Sequence, residues 1–185
     1  DSGVHARGQV VSFSLSEEEL ACRSEFKLLR SLNALTHEDI SIKLVRRQAN
    51  DFSARFSCTM REYKYFICTD AYKPLLMKGF CWHIPKELNL EAMRAAAAYL
   101  IGEHDFKSFC MAASAEGKST MRNMFSIDVS RGDAWGENLV VITVKGNAFL
   151  HSMVRTIVCS LVAVGLGRRR PEWIAEVLEA RNRAA

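Results

Sequence analysis

The order of apolar and polar positions divides the chain into alternating extended and helical segments. Gly8 to Ser14 reads as a short strand. Ser16 followed by Glu19 has the capping-box spacing, and Leu20, Phe26, Leu29 and Leu32 recur at helical intervals, predicting one helix through about Leu35. Ile40, Ile42 and Leu44 alternate with polar residues, as in a half-buried strand ending at Val45. Arg61 to Thr69 is a strand rich in aromatic residues, and Asn89 caps a helix from Leu90 to Ile101 that Gly102 ends. Met124 to Arg131 and Leu139 to Lys145 are two further strands around a polar, glycine-containing turn over 131–138. Leu150 to Leu166 is an apolar helix stopped by Gly165 and Gly167, and Pro171 opens a last helix over Glu172 to Arg181. Strands joined by hairpin-length turns predict an α+β protein: a mainly antiparallel sheet with helices on one face. A break near Gln48 to Asp51 separates two halves.

Composition narrows the class. A length of 185 residues, 49% of them apolar, suits one full-sized domain or two small ones and excludes a disordered or collagenous chain. The 25 basic and 21 acidic residues leave a net charge of +4, which permits a nucleic-acid partner without requiring one. The six cysteines, at 22, 58, 68, 81, 110 and 159, form no C-x-x-C pair and no zinc-like array, and read as reduced thiols of a cytosolic protein. The apolar stretch Phe149 to Leu166 contains Arg155, so it reads as a buried helix of a soluble core rather than a membrane span. The chain opens on Asp1 without a methionine or a signal peptide, and is expected to be a segment of a longer protein.

Four places could carry chemistry. Asp1-Ser2-Gly3 is either a plain turn or a carboxylate held ready as nucleophile or base. Arg155 sits among apolar positions with no acidic residue three or four positions away. Either it reaches solvent at a helix edge, or it is buried and takes an anion from elsewhere in the chain or from a ligand. Tyr63 and Tyr65 share one face of their strand, with Glu62, Lys64 and Phe66 on the other. Strand tyrosines either fill a sheet core or stack on a nucleobase with basic residues such as Arg55, Arg61 and Lys64 near phosphates. Arg168, Arg169 and Arg170 either contact RNA or complement a helix C-terminus.

Taken together and in order, these segments resemble the TruA-type tRNA pseudouridine synthases. Asp1-Ser2-Gly3-Val4-His5-Ala6-Arg7-Gly8-Gln9-Val10 is similar to that family's R-T-D-A-G-V-H-A-x-G-Q-V, entered at its aspartate. Phe52-Ser53-Ala54-Arg55-Phe56-Ser57 and then Arg61-Glu62-Tyr63-Lys64-Tyr65 resemble F-x-A-R-x-S and R-x-Y-x-Y. Gly102-Glu103-His104-Asp105-Phe106 through Phe109 resembles G-x-H-D-F-x-x-F, and Asn147-Ala148-Phe149-Leu150 through Met153-Val154-Arg155 resembles N-A-F-L-x-x-M-V-R.

The resemblance implies an isomerase that converts uridine to pseudouridine at positions 38 to 40 of the tRNA anticodon stem-loop. It puts Asp1 on the catalytic aspartate, Arg155 on the basic residue that pairs with it, and Tyr63 on the tyrosine that packs against the target uracil. Arg55, Arg61, Lys64, Arg168 and Arg169 would then meet phosphates. It implies no metal and no organic cofactor, a cytoplasmic homodimer sharing the tRNA, and two ferredoxin-like (RNP-like) halves joined in one extended sheet. Residues 1–50 would be the remainder of the first half, and 51–185 the second half without its last strand. The chain departs from the pattern at Ser2, where the family has alanine, and lacks the arginine and threonine before the aspartate. With open sheet edges, such a segment alone is expected to be poorly soluble or inactive. A catalytically silent tRNA-binding module on the same scaffold is the competing reading. The joint presence of Asp1, Tyr63 and Arg155 favours the enzyme.

Overall fold

A computed structural model describes residues 3–111, 117 and 119–182; Asp1 and Ser2 lie outside the described residues. The chain divides into two compact units, Asp1–Cys58 and Thr59–Ala185.

In the first unit the expected single helix is two. Helix α1 (Glu17–Cys22) carries the predicted capping box, with the Ser16 hydroxyl accepting from the Glu19 amide and the Glu19 side chain accepting from the Ser16 amide. Helix α2 (Glu25–Leu35) starts afresh because Ser24 is extended and caps the Lys27 amide. A second cap inside an apolar repeat ends one helix and nucleates the next. The segments Gly8 to Ser14 and Ile40 to Val45, expected as strands, join no ladder. Ile42 exchanges its backbone bonds with the Asn33 side chain instead: its amide donates to Oδ1 at 2.8 Å and its carbonyl accepts from Nδ2 at 2.9 Å. No described residue of this unit is buried.

The second unit holds the core. Strands β1 (Arg61–Cys68), β2 (Trp82–His83), β3 (Gly102–Asp105), β4 (Met121–Ala134) and β5 (Glu137–Gly146) form one sheet in the order β2-β1-β5-β4-β3. Every pairing is antiparallel except β1 with β2, which is parallel. Both unanticipated strands lack a readable period: β2 has two residues and β3 is Gly-Glu-His-Asp. The β4–β5 hairpin turns on Trp135 and Gly136 alone, both at positive φ (54° and 84°), the geometry of a two-residue type I′ turn. Both strands therefore run further than the polar turn residues suggested.

Helices α3 (Leu90–Ala98), α4 (Met153–Gly165) and α5 (Trp173–Ala180) cover one face of this sheet. Val140, Ile142 and Val144 of β5 lie in the same buried cluster as Met93, Ile157, Leu161 and Ile174 from the helices. Burying each such side chain contributes about 1.5–3 kcal/mol. Gly165, expected to stop α4, is its last residue and serves packing. A Cβ there would come within 2.6 Å of Met93 Sδ, and the Asn89 amide donates to the Gly165 carbonyl at 2.9 Å. The stop is Gly167 at φ 70°: its amide donates to Val164 and that of Arg168 to Ala163, a Schellman closure.

At the hairpin end, Glu137 Oε1 accepts from the amides of Leu75 and Leu76 and Oε2 from that of Met77, at 2.6, 2.8 and 3.0 Å. Burial pushes the Glu137 carboxyl up, but donation from Leu76, Leu75 and Met77 outweighs it and leaves the pKa below its ordinary 4.5. A depressed folded pKa means that this anchoring is present above the unfolded value and is lost as pH falls through the folded one. Amide protection factors at Leu75 to Met77, measured by hydrogen exchange, are expected to hold above pH 4.5 and to collapse below it. Glu137→Gln should lower them at every pH and remove the pH dependence.

Candidate active site

The end of the sheet where β1 begins and β5 ends holds Arg61 and Tyr63, two of the residues singled out from the sequence. Strand alternation puts Arg61, Tyr63, Tyr65 and Ile67 on the helix-covered face, and Glu62 and Lys64 on the other. Arg61 lies opposite Gly146 and Tyr63 opposite Val144. The two tyrosines divide the roles between which the sequence could not choose. Tyr65 packs against the core, and its phenol is pushed above the ordinary 10.0 by burial and by Cys159, with Arg155 opposing. Tyr63, two residues nearer the rim, keeps 37% of its surface exposed.

Tyr63 is held by Phe149, whose ring meets it edge to face at a centroid distance of 5.1 Å and an interplanar angle of 84°. Phe149 in turn depends on Gly146, where a Cβ would lie 3.2 Å from the ring and 3.1 Å from the Asn123 carbonyl oxygen. Asn147 fixes the crossing from β5 toward α4. Its amide donates to the Asn123 carbonyl and its Oδ1 accepts from the Asn123 amide, both at 3.0 Å. Its carbonyl accepts from Arg61 Nη1 at 2.8 Å. These positioning contacts were not legible in the chain. The N-A-F-L motif marked Asn147 and Phe149, but which strand each would meet is set by the pairing of β4 with β5.

Arg155 occupies the third position of α4 and is exposed. Its guanidinium is near enough to Tyr65 to act on that phenol electrostatically. It shares the first turn of α4 with the positive end of the helix dipole, and that combination suits a carboxylate or a phosphate.

The other basic residues are dispersed. Lys64 is on the opposite face of β1, 3.8 Å from Glu62, which also pairs with Lys145 at 3.0 Å. Arg55 belongs to the first unit, where it is exposed and lies over the Phe56 ring at 5.3 Å. Arg168 and Arg169 follow the far end of α4, about 20 Å from its first turn at 1.5 Å per residue. Both are exposed, with Arg169 over the Trp173 ring at 5.4 Å. An open groove of about 1000 Å³ lies at that far end, lined by Asn89, Arg94, Arg131 and Arg169 among others. It contains none of Arg61, Tyr63 or Arg155. Among the described residues no group of three His, Cys, Asp or Glu is placed to hold a metal ion, and no helix is long and apolar enough to cross a membrane.

An accessible aromatic ring on the same strand face as a guanidinium can receive a planar base with its phosphate. The profile of the tRNA pseudouridine synthase family matches residues 96–185. The chain is 42% identical over 183 residues to the tRNA pseudouridine synthase A of Thermosipho africanus, covering 99% of this chain and 71% of that one. It is 38% identical over 185 residues to the enzyme of the same name from Thermotoga neapolitana, covering 100% and 72%. To that of Vibrio cholerae it is 39% identical over 183 residues, covering 99% and 66%.

Proposed function

The chain belongs to the tRNA pseudouridine synthase family, and from that premise we propose that it isomerises uridine at positions 38 to 40 of the anticodon stem-loop with the Asp1 carboxylate as nucleophile. It is an isomerase that acts on uridine in tRNA.

The reaction breaks the bond from ribose C1′ to uracil N1 and makes one from C1′ to C5. The C5 hydrogen leaves as a proton and N1 gains one, so nothing is added or lost overall. A carboxylate suits this because it can attack C1′ and leave again, or remove the C2′ proton on a glycal route. Arg155, with the positive end of α4, would keep Asp1 ionised in the closed site. Tyr63 would take the extruded uracil on its exposed ring, replacing the stacking lost on leaving the helix. The observation that supports this most directly is the accessibility of Tyr63 beside a fully packed sheet core, with Phe149 bracing it from the side.

Arg61 would face a phosphate at the site. Lys64, Arg55, Arg168 and Arg169 would meet other parts of the RNA. The same reading has two copies of the chain sharing one tRNA in the cytoplasm, and ferredoxin-like halves over 1–50 and 51–185.

The test is tritium release. A tRNA transcript carrying [5-³H]uridine is expected to release label to water on incubation with the full-length protein, and to release none when uridines 38 to 40 are replaced by cytidine. Tight tRNA binding without label release would instead assign a catalytically silent binding module.

A further inference from the structure

Strand β5 leaves the sheet at Asn147. The last pair of the β4–β5 ladder at this end is Met124 with Gly146, so one step further Asn147 comes opposite Asn123. Residues bonded across an antiparallel pair exchange both of their main-chain N–H···O=C bonds. Here the exchange is only half made through the main chain. The Asn147 amide donates to the Asn123 carbonyl at 3.0 Å, but the Asn123 amide donates to Oδ1 of the Asn147 side chain, also at 3.0 Å. The side-chain carbonyl of Asn147 thus stands in for the main-chain carbonyl of the same residue.

The consequence falls on Arg61. Strand β5 lies between β1 and β4. A main-chain carbonyl spent on Asn123 would point toward β4, away from β1. Released from that bond, the Asn147 carbonyl accepts from Arg61 Nη1 at 2.8 Å. Arg61 stands opposite Gly146 on β1 and shares a strand face with Tyr63. The bond therefore restricts a side chain that would otherwise sample many rotamers, and it does so beside the exposed ring. The residue type at 147 matters because a main-chain N–H needs an acceptor. With an apolar side chain at 147, the Asn123 amide would draw on the main-chain carbonyl, and Arg61 would lose its partner.

We propose that Asn147 is a positioning residue for the reaction: by giving Oδ1 to the Asn123 amide, it frees its own carbonyl to hold Arg61 in the orientation that meets an RNA phosphate. This rests on the tRNA-modifying reading above. The role needs only an acceptor at Oδ1, which an aspartate supplies and an alanine does not.

The experiment compares wild type, Asn147→Ala, Arg61→Gln and the double variant in the full-length protein, with Asn147→Asp as the isostere that keeps the acceptor. Tritium release gives kcat and KM, and nitrogen-15 spectra of the arginine side chains report whether the Arg61 Nη groups are held. Asn147→Ala is expected to lower kcat/KM about 5–30-fold. Almost all of the loss should be a rise in KM, since a phosphate contact is made in ground and transition states alike. A lesion that merely reduced the folded fraction would cut kcat and leave KM. In the Arg61→Gln background the same substitution should cost less than about twofold, because the residue it acts through is gone. Slow rotation of the Arg61 Nη groups should be lost in Asn147→Ala and kept in Asn147→Asp. Equal losses in both backgrounds, or a wild-type KM in Asn147→Ala, overturn the proposal. If Asn147→Ala does not fold, freely rotating Arg61 Nη groups in the wild type or in Asn147→Asp overturn it. Absence of turnover in the wild type overturns the enzymatic reading instead, while the arginine spectra still judge Asn147.

Discussion

Asp1→Asn is expected to abolish isomerisation while leaving tRNA affinity within a few-fold. The amide has the shape of the carboxylate but can neither attack C1′ nor take the C2′ proton. Single-turnover tritium release should fall to roughly a thousandth of wild type or less, as for removal of a nucleophile. Binding should not weaken, because the substitution removes a negative charge facing a polyanion. Filter binding beside the tritium assay separates the two effects. Turnover within tenfold of wild type would mean that the carboxylate at position 1 is not the reacting group. Loss of binding in step with activity would mean that it acts on RNA placement.

Arg155→Ala should impair turnover without impairing the fold. A buried ion pair broken on one side costs about 3–5 kcal/mol, but Arg155 is exposed, so the melting temperature should stay within the shift produced by about 0.5 kcal/mol. The catalytic loss should follow from one charge-assisted contact, roughly 10–150-fold in kcat/KM. A neighbouring cation lowers a carboxyl pKa, so its removal should move the acid limb of the kcat/KM profile to higher pH. Arg155→Lys should restore the limb and part of the rate. A large loss of stability with an unmoved pH profile would assign Arg155 to the architecture of α4 and remove it from the site.

Local signals carried a large part of the fold. Ser16 and Asn89 are the caps expected of them, because a cap is a contact between residues three apart. The strand at Arg61, the hairpin around Trp135-Gly136 and the apolar helix α4 all stand where the pattern put them. Signals without a period were missed. Two-residue β2 and polar β3 are strands only because β1 and β4 offer them hydrogen-bonding edges. Gly8 to Ser14 and Ile40 to Val45 had the pattern and found no such edge among the described residues. Across Ser24 the apolar repeat continues unbroken, yet its cap divides the helix.

At the site, the chain by itself determined which chemistry is on offer: a carboxylate at the start, aromatic residues on one strand and a guanidinium in an apolar helix. It also determined which family those residues resemble, since motif order is a property of sequence. Only the tertiary structure decided that Tyr63 rather than Tyr65 is open to a ligand, that Arg155 reaches solvent, and that Arg168 and Arg169 lie a helix length away from it. The physical reason is one of range. Periodicity and capping are set by neighbours within a turn or two. Exposure and hydrogen-bond satisfaction are set by what other strands and helices bring alongside, and a residue's own neighbours in the chain do not encode that.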